Sequence, residues 1–211
     1  MGHYGSGKTF TAVNYAAYLS GLGKKVSIYD LDIVNPYFRT VDAEKFLSEH
    51  DIELVVSPYA ETNVDIPAMN AKSYKMLDDK SSYAVLDIGG DERGALALGR
   101  FYEGILKEND YDAFWVVNPY RPETRTLDDA IAVKNEIETT ARIKFTKIVN
   151  CANLGEETTE KHVAFGEKFC AELSDKVGIP VAFSAVRKDL KDKIKTENVL
   201  PIEPIKYVNW I

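Results

Sequence analysis

Cysteine is scarce in this chain, and basic residues are fewer than acidic ones. Among 211 residues there are two cysteines, Cys151 and Cys170, without a C-x-x-C pair or the spacing of a zinc site. This pattern argues against a disulfide framework or a metal–thiolate cluster, and buried free thiols are expected instead. The formal net charge of −7 argues against binding to nucleic acid or to an anionic membrane surface.

Long apolar runs are also missing from the sequence. No segment approaches the ~20 consecutive apolar residues of a membrane-spanning helix, and no signal peptide is recognisable at the start. We therefore expect a cytoplasmic protein without a membrane span. Hydrophobic residues make up 45% and charged residues 28% of the chain, so we expect residues 1–211 to form a single globular domain.

The first motif that carries chemistry lies at the start of the chain. Residues 2–9 read G-H-Y-G-S-G-K-T and match the phosphate-binding pattern G-x-x-x-x-G-K-[ST] at every position. In such a loop, backbone N–H groups surround a polyphosphate, the lysine brings a positive charge to the β- and γ-phosphates, and the hydroxyl is offered to Mg²⁺. We predict that Lys8 is catalytic and Thr9 a metal ligand. The predicted nucleotide-binding residues of this segment are Gly5, Ser6, Gly7, Lys8, Thr9 and Phe10.

Carboxylates follow two of the predicted strands. The strand at 26–29 runs into Asp30 and Asp32, and the strand at 83–86 runs into Asp87 and then Gly90. Ligands of open α/β sheets bind at the carboxyl ends of strands. We predict that Asp87 holds a water on Mg²⁺ opposite Thr9 and that Gly90 donates its N–H to the γ-phosphate. Taken alone, an aspartate after a strand is more often a cap for the next helix than a metal ligand, but the complete phosphate loop favours the metal site for Asp87.

Strand and helix patterns alternate along the whole chain. This order predicts an α/β fold of the P-loop NTPase type, a three-layer α/β/α sandwich with a mostly parallel sheet and helices on both faces. Beyond the two strands above, we predict strands at 52–56, 113–117, 145–150 and 180–184, and helices at 11–19, 66–77, 96–107, 124–140 and 159–177. The end of the chain, 199–211, is predicted to pack on the sheet edge, with contact to a partner as the alternative.

The strand that usually precedes a phosphate loop has no counterpart in this sequence. Only Met1 stands before Gly2, whereas such a loop is normally aimed by a buried strand. Either the start is assigned too late or the chain is a truncated version of a longer protein, and we favour the truncation. We expect a sheet without its central strand, at a cost in stability.

These motifs, in this order, resemble the MinD/ParA-type branch of P-loop ATPases, over roughly residues 1–190. They are the phosphate loop, Asp30-x-Asp32, Asp87-Ile88-Gly89-Gly90 and Ile148-Val149-Asn150. The resemblance implies a Mg-ATP-binding domain that hydrolyses ATP slowly, forms a nucleotide-dependent homodimer, and acts as a switch or assembly factor on a protein partner that the sequence does not name. It implies that the carboxylate of Asp32 orients the attacking water, that Asp87 lies near the metal, and that Asn150 contacts adenine. The segment 185–187 resembles the loop that packs on the base, which makes Arg187 a nucleotide-binding residue.

The chain departs from this family pattern at His3. Many members carry a second lysine at this position that reaches across a dimer, and its replacement by His3 argues against the dimer-dependent mechanism. We expect His3 to be a neutral packing or hydrogen-bonding residue. No N-K-x-D signature follows the strand that ends at Asn150, so adenine is favoured over guanine.

Two other functions remain open at this point. One is an ATP-dependent ligase or kinase resembling dethiobiotin synthetase or the cobyrinate amidation enzymes, in which an acceptor replaces water. The other is a module that senses ATP without hydrolysing it. Four loop residues are placed to face an acceptor, although solvated charges and a packing tyrosine are the favoured interpretation: Tyr37, Arg39, Arg121 and Arg125.

Overall fold

The computed structural model of the chain describes residues 1–32, 39–56, 77, 79–90, 94, 97–99 and 101–205. Its helices are α1 (Lys8–Gly21), α2 (Glu44–Glu49), α3 (Tyr102–Glu108), α4 (Leu127–Ala141) and α5 (Glu160–Val177). Its strands are β1 (Val26–Asp30), β2 (Glu53–Val56), β3 (Tyr83–Asp87), β4 (Phe114–Val117), β5 (Lys147–Asn150), β6 (Val181–Arg187) and β7 (Val199–Ile202). Short 3-10 helices lie at Thr40–Ala43, Pro122–Thr124, Gly155–Glu157 and Lys188–Lys193.

The two longest described helices, α4 and α5, have recognisable sequence boundaries. At the start of α4 the Thr126 side chain accepts a hydrogen bond from the backbone N–H of Asp129, which satisfies one of the free donors of the first turn. At the end of α5 Gly178 takes a left-handed conformation with φ of 71° and donates its N–H to the Ser174 carbonyl. A glycine at this position ends a helix without steric cost.

All of the described strands are parallel and form two sheets. The first has the order β2-β1-β3 and the second the order β4-β5-β6-β7. Because parallel neighbours end at the same edge, the carboxyl ends of β1 and β3 lie side by side, with Asp30 paired in register with Asp87. The two carboxylates predicted to serve the site are thereby brought to one edge.

Met1 lies between β3 and β4, where the two sheets meet. Its carbonyl accepts a 2.8 Å hydrogen bond from the N–H of Val116, and its amino group donates to the Phe114 carbonyl at 2.9 Å. Met1 therefore pairs with β4 as a residue of a parallel strand would. In the described part of the chain no strand continues this pairing toward the amino end of β3, where Tyr83 and Ala84 are exposed.

Helices cover both faces of the sheets, as predicted for the α/β sandwich. On one face a core cluster joins α1 and α2 to β1 through Val13, Ala16, Val26, Ile28 and Leu47. On the other face a larger cluster joins strands of both sheets to α4 and α5, and its members include Trp115, Ile148, Ile137, Phe169 and Leu173. None of the described helices is long and apolar enough to cross a membrane.

The predicted parallel sheet is observed as two parallel sheets, with the orders β2-β1-β3 and β4-β5-β6-β7. We predicted that 199–211 packs on the sheet edge and assigned no strand to it; its first residues form β7, which pairs with β6 at the edge despite Pro201, because an edge strand tolerates a residue without an N–H. The helix at 66–77 falls almost wholly outside the described residues, as does 206–211.

Candidate nucleotide-binding site

The phosphate loop leads directly into α1. Gly5 and Gly7 have φ values of 72° and 91°, which lie in the left-handed region that side chains disfavour. The Gly7 carbonyl accepts bonds from the N–H and the Oγ1 of Thr11, at 3.0 and 2.9 Å. The 14-residue helix thus begins at the loop, and its free N–H groups and positive dipole end face the place where an anion would bind.

The segments that follow β3 and β5 lie against the loop. A Cβ atom on Gly90 would lie 2.2 Å from the Gly2 carbonyl oxygen, and one on Gly7 would lie 2.5 Å from Sγ of Cys151. Neither position accommodates a side chain. Burial raises the pKa of the Cys151 thiol to about 11, so the thiol is neutral at pH 7. Both cysteines are buried and free, as predicted.

Lys8 and Asp87 are both buried at the base of the loop. Lys8 is 7% exposed, and its Nζ lies 3.5 Å from the His3 carbonyl oxygen. Burial raises the pKa of Asp87, while the Lys8 charge and the hydroxyls of Thr40 and Thr9 lower it. Oδ1 of Asp87 is buried without a hydrogen-bond partner among the described residues. This buried carboxylate oxygen, close to the Thr9 hydroxyl, suits a hydrated cation.

No group of three or more His, Cys, Asp or Glu side chains in the described ranges forms a metal site. Mg²⁺ at a phosphate site does not require one, because it is usually held by one or two carboxylates together with phosphate oxygens and waters. Thr9 and Asp87 therefore fit Mg²⁺ that arrives with a nucleotide.

Asp30 and Asp32 extend this cluster at the end of β1. Asp30 is fully buried and pairs through Oδ2 with Nη2 of Arg39 at 3.0 Å, while its Oδ1 accepts from the N–H of Asp32 at 3.2 Å. Burial raises the pKa of Asp30 to about 7 although Arg39 lowers it. A Cβ on Gly89 would lie 3.0 Å from Oδ1 of Asp32. The Asp32 carboxylate therefore lies against the chain just beyond β3, next to Asp87.

The two residues predicted to contact the base lie at the ends of β5 and β6. Asn150 is buried; its Nδ2 donates to Oγ of Ser184 at 3.0 Å and its Oδ1 accepts from the N–H of Ala152 at 3.0 Å. Arg187 pairs with Asp189 and donates from Nη1 to the carbonyls of Gly155 and Glu156. Both side chains thus shape the loop at 151–157, and in this conformation their hydrogen bonds are made within the protein.

The interpretation of the sequence missed or misjudged three polar residues at the site. Arg39 is not a solvated loop charge, because it pairs with the buried Asp30. Thr40 donates to Asp87, and the sequence carries no motif that singles it out. Arg121 is exposed but donates from Nε to the Gly5 carbonyl. Arg125 is exposed as predicted, and Tyr37 lies outside the described residues.

The fold and this site define a P-loop nucleotide-binding domain of the α/β class. The family model of the CobQ/CobB/MinD/ParA nucleotide binding domain matches residues 3–158, and the chain belongs to this family. A search of curated proteins finds no match to the chain.

Among solved structures, several FtsY proteins have a similar fold. Cell division protein FtsY from Thermotoga maritima has a TM-score of 0.58 at 16% identity, with 88% of this chain and 60% of that chain covered. Chloroplast FtsY from Physcomitrella patens has a TM-score of 0.60 at 17% identity, with 87% and 56% covered. Signal recognition particle receptor FtsY from Elizabethkingia anophelis in complex with GDP has a TM-score of 0.54 at 17% identity, with 88% and 55% covered. The chain thus spans less than two thirds of the length of these relatives, and the similarity concerns the fold.

Proposed function

We propose that this chain binds Mg-ATP at residues 5–10 and hydrolyses it to ADP and phosphate as a nucleotide-dependent switch. The observation that carries the proposal is the grouping of buried Lys8, Thr9 and Asp87 at the start of α1, with Asp32 beside them. A buried lysine and a buried carboxylate next to a phosphate loop are the groups that bind and activate a triphosphate.

Each of these side chains has a separate task in the proposed reaction. Lys8 neutralises charge on the β- and γ-phosphates, and the loop N–H groups stabilise the charge that develops during transfer. Asp32 accepts a hydrogen bond from the attacking water and orients it. When bound, Mg²⁺ would be held through Thr9 and Asp87 and would supply further positive charge at the phosphate oxygens.

The choice of adenine rests on the chain after β5. Residues 150–154 read N-C-A-N-L and contain no carboxylate, whereas a carboxylate is the group that would accept a hydrogen bond from the guanine amino group. The side chain of Asn153 is also engaged, because its Oδ1 accepts from the N–H of Gly155 and from Oγ1 of Thr158. The test of this choice is therefore to compare the affinity of the chain for ATP with its affinity for GTP.

Calorimetry and phosphate release test this function together. We expect ATP to bind more tightly than GTP in the presence of Mg²⁺, and phosphate to be released from ATP without any added acceptor. Excess EDTA should abolish release. Tighter binding of GTP would contradict the choice of base. Release only with an added acid or amine would indicate a ligase, and binding without turnover would indicate a sensing module.

A further inference from the structure

Arg121 lies directly against the phosphate loop, although 116 residues separate it from Gly5 in the chain. Its Nε donates a 2.8 Å hydrogen bond to the Gly5 carbonyl oxygen. A Cβ atom on Gly5 would lie 3.1 Å from Nε and 3.2 Å from Cζ of Arg121. The guanidinium therefore occupies the space beside Gly5, and a side chain at position 5 would displace it by a few tenths of an ångström besides straining the backbone at a φ of 72°.

The peptide group between Gly5 and Ser6 is held from both sides. Its carbonyl oxygen accepts from Arg121, and its N–H, which belongs to Ser6, donates to the His3 carbonyl at 3.1 Å. Because a peptide group is planar, the bond to the oxygen also sets the direction of the N–H. The Ser6 N–H is thereby kept on the His3 carbonyl, and the bond from Arg121 fixes the shape of the loop that presents its other N–H groups to an anion.

The segment that carries Arg121 is itself well ordered by hydrogen bonds. The N–H of Arg121 donates to the Asn118 carbonyl at 3.1 Å, and the Arg121 carbonyl accepts from the N–H of Thr124 at 3.1 Å. Oγ1 of Thr124 donates to the same Asn118 carbonyl at 2.6 Å, and Pro122 opens the 3-10 helix that follows. The bond to Gly5 thus starts from a segment tied to the end of β4.

We infer that Arg121 is a positioning residue of the phosphate loop, acting on the nucleotide through the Gly5–Ser6 peptide. The inference rests on the proposed binding of nucleotide phosphates at this loop. The decisive feature is the donor at Nε, because this atom makes the contact with the loop. The charge of the guanidinium is not required for this role.

Arg121→Gln and Arg121→Met separate the donor from the charge. Nε2 of glutamine is the same number of bonds from Cα as Nε of arginine, so the variant keeps the donor and loses the charge. Methionine has a similar length and no donor. Arg125→Met is the matched control, since Arg125 lies in the same segment, is exposed, and makes no hydrogen bond or ion pair within the described residues.

We expect Arg121→Met to weaken both Mg-ATP and Mg-ADP about five- to tenfold, the usual scale for one hydrogen bond. Arg121→Gln should bind both nucleotides within about twofold of the wild type, and Arg125→Met should match the wild type. Titration calorimetry on the full chain supplies the affinities. Arg121→Ala should match the methionine variant and replaces it if that variant does not fold.

Wild-type affinity in Arg121→Met would overturn the inference while leaving the proposed function intact. Equal weakening in the Gln and Met variants would also overturn it, because the charge and not the donor would then be responsible. A wild-type chain that bound neither nucleotide would overturn both the inference and the proposed function.

Discussion

Oγ1 of Thr40 donates a 2.8 Å hydrogen bond to Oδ2 of Asp87, and both side chains are buried. This bond ties the segment that follows Asp32 to the end of β3. A buried carboxylate that loses a donor becomes costly, because it has left water without full compensation. Thr40 therefore stabilises the site before any nucleotide arrives.

Replacing Thr40 by valine should lower the melting temperature of the nucleotide-free chain by about 3 to 8 °C. This range corresponds to about 1–3 kcal/mol for an unsatisfied buried group in a domain of this size. Thr40→Ser, which keeps the hydroxyl, is the control and should lose less. Scanning calorimetry makes the comparison, and a valine variant as stable as the wild type would contradict this role of the bond.

Lys8→Ala should weaken Mg-ATP binding by at least about tenfold. The phosphates would lose their charge-assisted donor in a buried loop, and such bonds contribute roughly 1.5–3 kcal/mol. Lys45→Ala is a suitable control, because the Lys45 side chain is 91% exposed and lies outside the proposed site. Unchanged ATP affinity in calorimetry would rule out this loop as the nucleotide site.

Asp32→Asn should keep the affinity for Mg-ATP within about threefold and slow hydrolysis by about a hundredfold. The amide has nearly the same size as the carboxylate but is a poorer acceptor for the proton of the attacking water. Single-turnover phosphate release measures the chemical step apart from binding. Wild-type turnover in this variant would transfer the role to another group, with Asp30 the next candidate.

The stability of the chain should depend on the ionisation of Asp30. Its pKa is raised by burial from 3.8 to about 7, so between pH 4 and 7 the unfolded chain has lost this proton while the folded chain keeps it. The free energy of unfolding therefore falls as pH rises from about 4 to about 7 and does not change further above pH 7. At about 1.4 kcal/mol for each pH unit, the total loss of stability is at most about 4 kcal/mol.

Asp30→Asn removes this ionisation, and its amide oxygen can still accept from Arg39. We expect the difference in melting temperature, variant minus wild type, to be larger at pH 7.5 than at pH 4.5. Asp110→Asn, at an exposed position, should show no such change. A pH-independent difference between Asp30→Asn and the wild type would contradict the raised pKa.

The position of Met1 allows a test of whether an added strand would fit between β3 and β4. Burial and the charge of Lys8 lower the pKa of the Met1 amino group to about 5, so at pH 7 the group is neutral and donates to Phe114 as a peptide N–H would. We predict that about six apolar, β-branched residues added ahead of Met1 pair with β3 and β4. This pairing should raise the melting temperature by several degrees and tighten ATP binding.

An extension of equal length made of glycine and serine is the control for this prediction. It adds chain without apolar side chains or strand propensity. Melting curves with and without Mg-ATP compare the original chain with the two extended chains. If the original chain melts as high and binds nucleotide as well as the chain with the apolar extension, the prediction that added residues pair with β3 and β4 is wrong.

The sequence predicted the elements with strong local signals and the edge of the sheet at which Asp30 and Asp87 lie. The strands that end at Asp30 and Asp87 lie where their apolar runs predicted them, because alternating βα units bring such ends to one edge. The strand containing Pro201 was not predicted, since proline argues against a strand until the neighbouring strand is known.

Contacts between distant segments are the part that the sequence did not reveal. Arg39 and Arg121 look alike in the sequence, as charged residues in loops. One is paired with a buried carboxylate and the other donates to a backbone carbonyl. Which loop meets which group depends on the packing of the whole chain, and no local pattern encodes it.

The long separation between Arg121 and Gly5 also has a consequence for the order of folding. Met1 and Gly5 bond to Phe114 and Arg121 across 113 and 116 residues, and closing such large loops slows folding. Helix α1 can form early from local interactions, whereas the loop before it takes its final shape only when the second sheet is in place. A refolding chain should therefore recover its helical signal first and its nucleotide affinity last.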